Sequence, residues 1–521
     1  MIPRLLTAAL LALAPPAAAE PIVIDGGALE GVTLPSGVQA WLGVPFAAPP
    51  VRELRWRSPQ PVPPWQGVLH ADRFAPKCLQ PLRSPRQNHY FGNEATSEDC
   101  LYLNIWAPSR ARGLPVVVWI YGGGFNIGSA SMANYSGEPL ARAGVVRVNL
   151  AYRVGPLGFL AHPELSRESG YGASGNYGLM DQVAALEWVQ RNIARFGGDP
   201  ANVTIAGQSA GSMSVALLQM SPAAKGLFAR AVGMSGSPFG GMLGPVPLAR
   251  GEAQGLALEK EVGAASLADL RALPGDRVTA ATTARDPIVV DGRTVSGTAE
   301  EVFAARRQND VPVLIGYTRD ESFRPLTAVR DTAGLASAVR TRFGDRADAV
   351  LAAYPGDPAR AATDIARDAS VGRQMADWAT FQQRFGTAPA YAYVFARRQP
   401  YAAGIAFSDH DPATVGAYHT GDVPYWLRTR DALNLFRTTR VWEPADLSLE
   451  AEMSAALLDF ARGGRPAGPK LGPWPRFAAK APRVVWLGEE SREIAWPHYA
   501  DMSLLGEVLP ATRTAAPRPR D

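Results

Sequence analysis

The chain has 521 residues, a formal charge of +4, 47% hydrophobic and 9% aromatic residues, and two cysteines. That apolar content excludes a disordered chain, and no stretch reaches the ~20 apolar residues of a membrane span. Its 52 Lys and Arg stand against 48 Asp and Glu and are scattered, without the basic patch or stripe of a nucleic-acid binder.

Residues 1–19 read as a secretory signal peptide. Arg4 precedes the apolar run Leu5 to Leu13, and Ala17-Ala18-Ala19 supplies a small-residue cleavage site before Glu20. Export makes a disulfide the expected state of Cys78 and Cys100, which bracket a loop rich in Pro, Arg, Asn and Gly. Closing that loop stabilises the fold by roughly 3 kcal/mol on the chain-entropy estimate.

From Leu114 onward, apolar runs, glycine turns and helical patterns alternate, as in a parallel sheet covered by helices. Val116 to Ile120 and Val145 to Leu150 read as strands buried on both faces. Leu179, Val183, Leu186, Ile193 and Phe196 recur at helical spacing, and Gly197-Gly198-Asp199-Pro200 ends that helix. Val203-Thr204-Ile205 is a further strand, Ser212 to Gln219 a helix, and Val311 to Gly316 another strand and turn. No linker divides the chain, so residues 20–510 are expected to form one domain, with a frayed tail over 511–521.

Gly207-Gln208-Ser209-Ala210-Gly211 matches the G-x-S-x-G nucleophile elbow, a sharp strand-to-helix turn that exposes a serine hydroxyl. The pattern alone is weak, but the apolar strand before it and the helix after it put Ser209 at the carboxyl end of a strand, where open α/β sheets place their sites. A serine needs a base, and in α/β-hydrolase order the acid and then the histidine follow it. Of six histidines, His70, His89 and His162 come too early. His410, between Asp409 and Asp411, reads as a solvated acidic loop, and His498 as a packed residue near the end. His419, in the glycine-bracketed run Gly416 to Gly421, is the candidate base. Asp320 and Glu321, after the Val311 to Gly316 strand, are both candidates for the acid that orients it, and spacing does not separate them. Tyr121-Gly122-Gly123-Gly124-Phe125 follows a strand directly and suits a loop of oxyanion donors; a phosphate loop is disfavoured because no G-K-[ST] ending follows.

These residues resemble the type-B carboxylesterases, which include the cholinesterases. The likeness spans nearly the whole chain: Gly43 to Ala47, Ser97-Glu98-Asp99-Cys100-Leu101-Tyr102-Leu103-Asn104, Tyr152 to Gly155 with Gly158-Phe159, and Asn176 to Gln182 all resemble family motifs. The resemblance implies an α/β-hydrolase fold with a mostly parallel central sheet and helices on both faces. It also implies a serine esterase that needs no cofactor or metal and takes a small-molecule ester. Ser209 resembles the family's nucleophile, Glu321 rather than Asp320 its acid, and His419 its base. Gly123, Gly124 and Ala210 match its oxyanion amides, Ser235 a serine the family sets beside the triad, and Cys78 with Cys100 its first disulfide.

Three departures stand out. Gln208 replaces the usual glutamate before the nucleophile, Tyr90 stands where cholinesterases carry a choline-binding tryptophan, and Thr420 replaces the glycine after the histidine. The first two argue against a dedicated choline esterase. Phe125, Tyr90, Tyr425 and Trp426 are candidates for an aromatic substrate cleft, with core packing the competing reading. An amidase, carbamate hydrolase or lipase would use the same triad. The family's non-catalytic adhesion proteins typically lack the nucleophile, which argues against that reading.

Overall fold

A computed structural model describes residues 20–81, 95–240, 244–283, 286–327 and 329–506. The expected leader (1–19), the tail (511–521) and Tyr90 lie outside the described residues.

The architecture is a sheet of 11 strands. In chain order they are β1 (Val32–Thr33), β2 (Gln39–Pro45), β3 (Tyr102–Ala107), β4 (Leu114–Ile120), β5 (Val146–Leu150), β6 (Gly198–Gln208), β7 (Arg230–Met234), β8 (Val313–Thr318), β9 (Ala390–Phe395), β10 (Arg483–Leu487) and β11 (Arg492–Ala495). Their spatial order is β11-β10-β9-β8-β7-β6-β4-β5-β3-β2-β1. The seven strands from β10 to β5 pair in parallel, and the strands at both edges pair antiparallel. The order doubles back at β4, whose neighbours are β5 on one side and β6 on the other, so a crevice opens at the carboxyl ends there.

The helices that cover the sheet include α1 (Tyr177–Asn192), α2 (Ala210–Met220), α3 (Pro358–Arg367), α4 (Arg373–Phe385), α5 (Val423–Leu427) and α6 (Pro444–Gly463). They lie on both faces. Gly233, Ile315 and Ala392 stand in register across β7, β8 and β9, and Trp378 of α4 fills the space over Gly233, where a Cβ would come within 2.4 Å. Tyr391, one residue from Ala392 and so on the opposite face, packs on Phe460 of α6. Val116 to Ile120 are fully buried, because both faces of β4 are covered.

The sequence placed these elements within a few residues. The α1 helix passes into a 3-10 turn over Ile193–Phe196 and ends at Gly197, whose φ of +82° only glycine adopts without strain. Gly198 to Pro200, expected only as a stop, already belong to β6. Cys78 and Cys100 form a disulfide across a separation of 22 residues, both sulfurs buried. No helix among the described residues is long and apolar enough to cross a membrane.

Candidate active site

Strand β6 delivers Ser209 and α2 begins at the next residue, so the serine occupies the turn between them. It holds φ +59° and ψ −124°, a conformation that costs roughly 1–3 kcal/mol for a residue with a side chain. Its surroundings enforce it. A Cβ on Gly211 would lie 2.1 Å from the Ile120 carbonyl oxygen, and one on Gly207 would lie 2.5 Å from the Gly211 backbone. The Ser209 N–H donates to the Met234 carbonyl (2.8 Å), tying the turn to β7.

His419 arrives on the loop between β9 and α5. Its Nε2 lies 2.8 Å from Ser209 Oγ, and its Nδ1 is hydrogen-bonded to Glu321 Oε2. Glu321 is buried at the end of β8, and its other oxygen accepts the Thr318 N–H (2.7 Å). Three side chains from distant parts of the chain therefore form one row, with the imidazole between a hydroxyl and a carboxylate. Phe323 closes one side of the ring edge-on at 5.1 Å.

Asp320 takes a different place. Its Oδ2 accepts the Ala417 N–H (2.8 Å), its own N–H donates to the Ala417 carbonyl (3.1 Å), and it lies against Gly416, which holds φ +64°. Burial alone would raise its pKa, but the Arg319 guanidinium, the Ala417 N–H and Arg360 hold the carboxyl below its ordinary value. Asp320 therefore anchors the loop that carries His419, and Glu321 touches the imidazole.

The glycine loop after β4 lies against the serine. A Cβ on Gly122 would sit 3.0 Å from Ser209 Cβ, and one on Gly123 would strike the Ile127 carbonyl at 2.2 Å. Gly123 and Gly124 hold φ of +122° and +62°, and no acceptor among the described residues takes their N–H groups. Ala210 is the first residue of α2, so its N–H has no partner within the helix. Gln208 donates to the His419 carbonyl (2.7 Å), with the same nitrogen 3.3 Å from His419 Nε2. Ser235 lies beside the turn, fully buried, its hydroxyl without a hydrogen-bond partner among the described residues.

A cleft of about 510 Å³ opens over this row, lined by the glycine loop, Asn126, Ile127, Tyr135, Gln208, Ser209 and a second wall from Asp409 to Thr420. The aromatic candidates need correcting. Tyr425 is fully buried with its hydroxyl on Asp446 Oδ1 (2.7 Å), and Trp426 is fully buried edge-on to Tyr393. Phe125 is 2% exposed and packs on Phe159. All three are core, because α5 and the glycine loop turn their apolar rings inward. The cleft takes its aromatic walls instead from Tyr135 and Tyr418, which sequence reasoning missed.

His410, expected in a solvated loop, also lines the cleft. It stacks between Phe407 (4.7 Å) and Tyr418 (5.6 Å), receives or donates a hydrogen bond with Tyr401 (3.0 Å), and is pulled below its ordinary pKa by burial. The aromatics around it in the sequence are the signal that was available. His498 stacks on Tyr354, away from the cleft. No group of three His, Cys, Asp or Glu side chains suited to a metal ion occurs among the described residues.

The Carboxylesterase family profile matches residues 19–354 and 351–501. The chain is 38% identical to a fumonisin B1 esterase of Sphingopyxis macrogoltabida, the match covering 89% of this chain and 86% of that one. It is 33% identical to a phenmedipham hydrolase of Pseudarthrobacter oxydans, over 90% and 94% of the two chains. A solved para-nitrobenzyl (PNB) esterase superposes with a TM-score of 0.76 at 30% identity, covering 93% of this chain and 99% of that one. With a family profile over nearly all of its length and relatives of 30% identity or more along most of theirs, the chain belongs to the carboxylesterase family and is a carboxylic ester hydrolase of α/β-hydrolase fold.

Proposed function

We propose that the chain is an exported serine carboxylesterase that works through an acyl-enzyme. The observation that carries the reading is the hydrogen-bonded row of Ser209, His419 and Glu321, whose serine and histidine line the cleft. Ser209 Oγ attacks the ester carbonyl carbon while its proton passes to His419 Nε2. The imidazolium that forms keeps its Nδ1–H on Glu321, which fixes the tautomer and balances the charge. The carbonyl oxygen becomes an alkoxide held by the N–H groups of Gly123, Gly124 and Ala210, each typically worth ~3–4 kcal/mol of barrier. The alcohol leaves with the proton from His419. Water then repeats the sequence on the acyl-serine, giving up its proton to His419 and releasing the acid.

Ser235 packs against the turn that presents Ser209. Gln208 holds the His419 main chain without adding charge, which favours neutral over cationic alcohols. Export is supported by the residue pattern of 1–19 and by the Cys78–Cys100 bridge.

Purified protein is expected to cleave a short-chain nitrophenyl ester and to be labelled once by an organophosphonate. Labelling that persists in Ser209→Ala rules the mechanism out.

A further inference from the structure

A second cavity, of about 180 Å³, opens at the carboxyl ends of β8, β9 and β10, beside α3. It shares no lining residue with the catalytic cleft, and none of the steps above uses it. Its wall is cationic: Arg319, Arg360 and Arg367 line it against one carboxylate, Asp364, with His498 and the Trp486 ring beside them. The other acids that pair with these arginines, Asp320 and Asp368, do not line it; their side chains are only 9% and 0% exposed.

Two groups on this wall keep hydrogen-bonding capacity that the protein leaves unused. Arg319 gives Nε and Nη2 to Asp320 (3.0 and 2.8 Å), and its Nη1 has no acceptor among the described residues. Neither ring nitrogen of His498 is hydrogen-bonded among them, Asp501 lying 3.9 Å from its Nδ1. Arg367 is buried and fixed, donating to Asp368 (2.8 and 2.9 Å), the Arg319 carbonyl (3.0 Å) and Asp364. A guanidinium edge and an imidazole on one wall suit a carboxylate, and the Trp486 ring suits an aromatic body attached to it.

The cavity reaches the active site through one side chain. Arg319 and Arg360 both donate to Asp320, and Asp320 accepts the Ala417 N–H (2.8 Å) on the loop that carries His419. An anion that draws on either guanidinium takes countercharge from the carboxylate that anchors that loop.

We propose that this cavity is a second binding site for a small organic carboxylate, the class of acid the reaction releases, and that filling it slows turnover through Asp320. The kinetic half of this rests on the serine-esterase reading above.

Benzoate is the probe, titrated at constant ionic strength into the full chain after an organophosphonate has capped Ser209 and closed the cleft to it. One equivalent is expected to bind, about tenfold more weakly in Arg319→Gln and in His498→Phe, and uncharged benzamide is expected not to bind. His498→Phe keeps a ring to stack on Tyr354 and decides the matter if Arg319→Gln does not fold. In the uncapped enzyme, saturating benzoate is expected to lower kcat for a nitrophenyl ester about fivefold, and to lose that effect in both variants. No binding to the capped chain, or binding that both variants keep, overturns the site. Inorganic phosphate binding as tightly as benzoate overturns its assignment to carboxylates. Benzoate that binds the capped chain yet only raises KM in the uncapped one overturns the coupling through Asp320. Loss of specific labelling at Ser209 in the wild type overturns the esterase mechanism itself.

Discussion

Glu321→Gln probes the row most directly. Glu321 offers one oxygen to the Thr318 N–H (2.7 Å) and the other to His419 Nδ1. A glutamine amide has a single oxygen, so one of these sites must face an NH₂ group. If the NH₂ faces the imidazole, the ring proton moves to Nε2 and the ring cannot accept from Ser209 Oγ. If it faces Thr318, two donors meet at a cost of about 1–3 kcal/mol, and the imidazolium still loses its counter-ion. Either way turnover is expected to fall 10³–10⁴-fold, about 4–5.5 kcal/mol of barrier, while the protein stays folded.

Asp320→Asn is the control. It weakens the hold on Ala417 and on Arg319 and Arg360 but leaves the imidazole's carboxylate intact, so turnover is expected to stay within about tenfold and the loss to appear as ~1–3 kcal/mol of stability. Saturating kcat with a nitrophenyl ester and a thermal melt on each variant are sufficient. If folded Asp320→Asn loses more turnover than folded Glu321→Gln, the assignment of the acid is wrong.

Gly211→Ala is expected to yield little soluble or active protein, since the added methyl falls 2.1 Å from the Ile120 carbonyl and the turn around Ser209 has nowhere to move; soluble yield and specific activity check this. Reducing the Cys78–Cys100 bridge is expected to lower stability by roughly 3 kcal/mol, read as a lower denaturant midpoint with reductant than without. Gln208→Glu adds a carboxylate beside His419 Nε2, which favours the imidazolium, so the acid limb of kcat/KM is expected to rise in pH; an unmoved limb refutes it. The depressed pKa of Asp320 means its stabilisation is present above the unfolded carboxylate value near pH ~4 and is lost as pH falls through the folded value. Unfolding free energy on acidification is therefore expected to fall more steeply in the wild type than in Asp320→Asn.

Much of this protein was legible along the chain because the relevant physics is local. A strand buried on both faces reads as a continuous apolar run, as Val116 to Ile120 does. A serine forced into a left-handed φ needs glycines on both sides, and Gly207 and Gly211 announce that. Convergence is another matter, since it depends on which strands lie side by side and where each ends. Asp320 and Glu321 are adjacent acids that spacing along the chain does not separate, and only the family resemblance favoured Glu321. Only the geometry at the end of β8 turns one carboxylate toward the imidazole and the other toward the Ala417 N–H. Whether an aromatic ring faces solvent or core is likewise set by the packing of its helix or loop. That packing sends Tyr425 and Trp426 inward and brings Tyr135, Tyr418 and His410 to the cleft. Residue type and spacing determined which side chains were available for the chemistry. The register of the sheet and the burial of its connections decided which of them meet, because contact energies fall off over a few ångströms and the intervals along the chain carry no such distance.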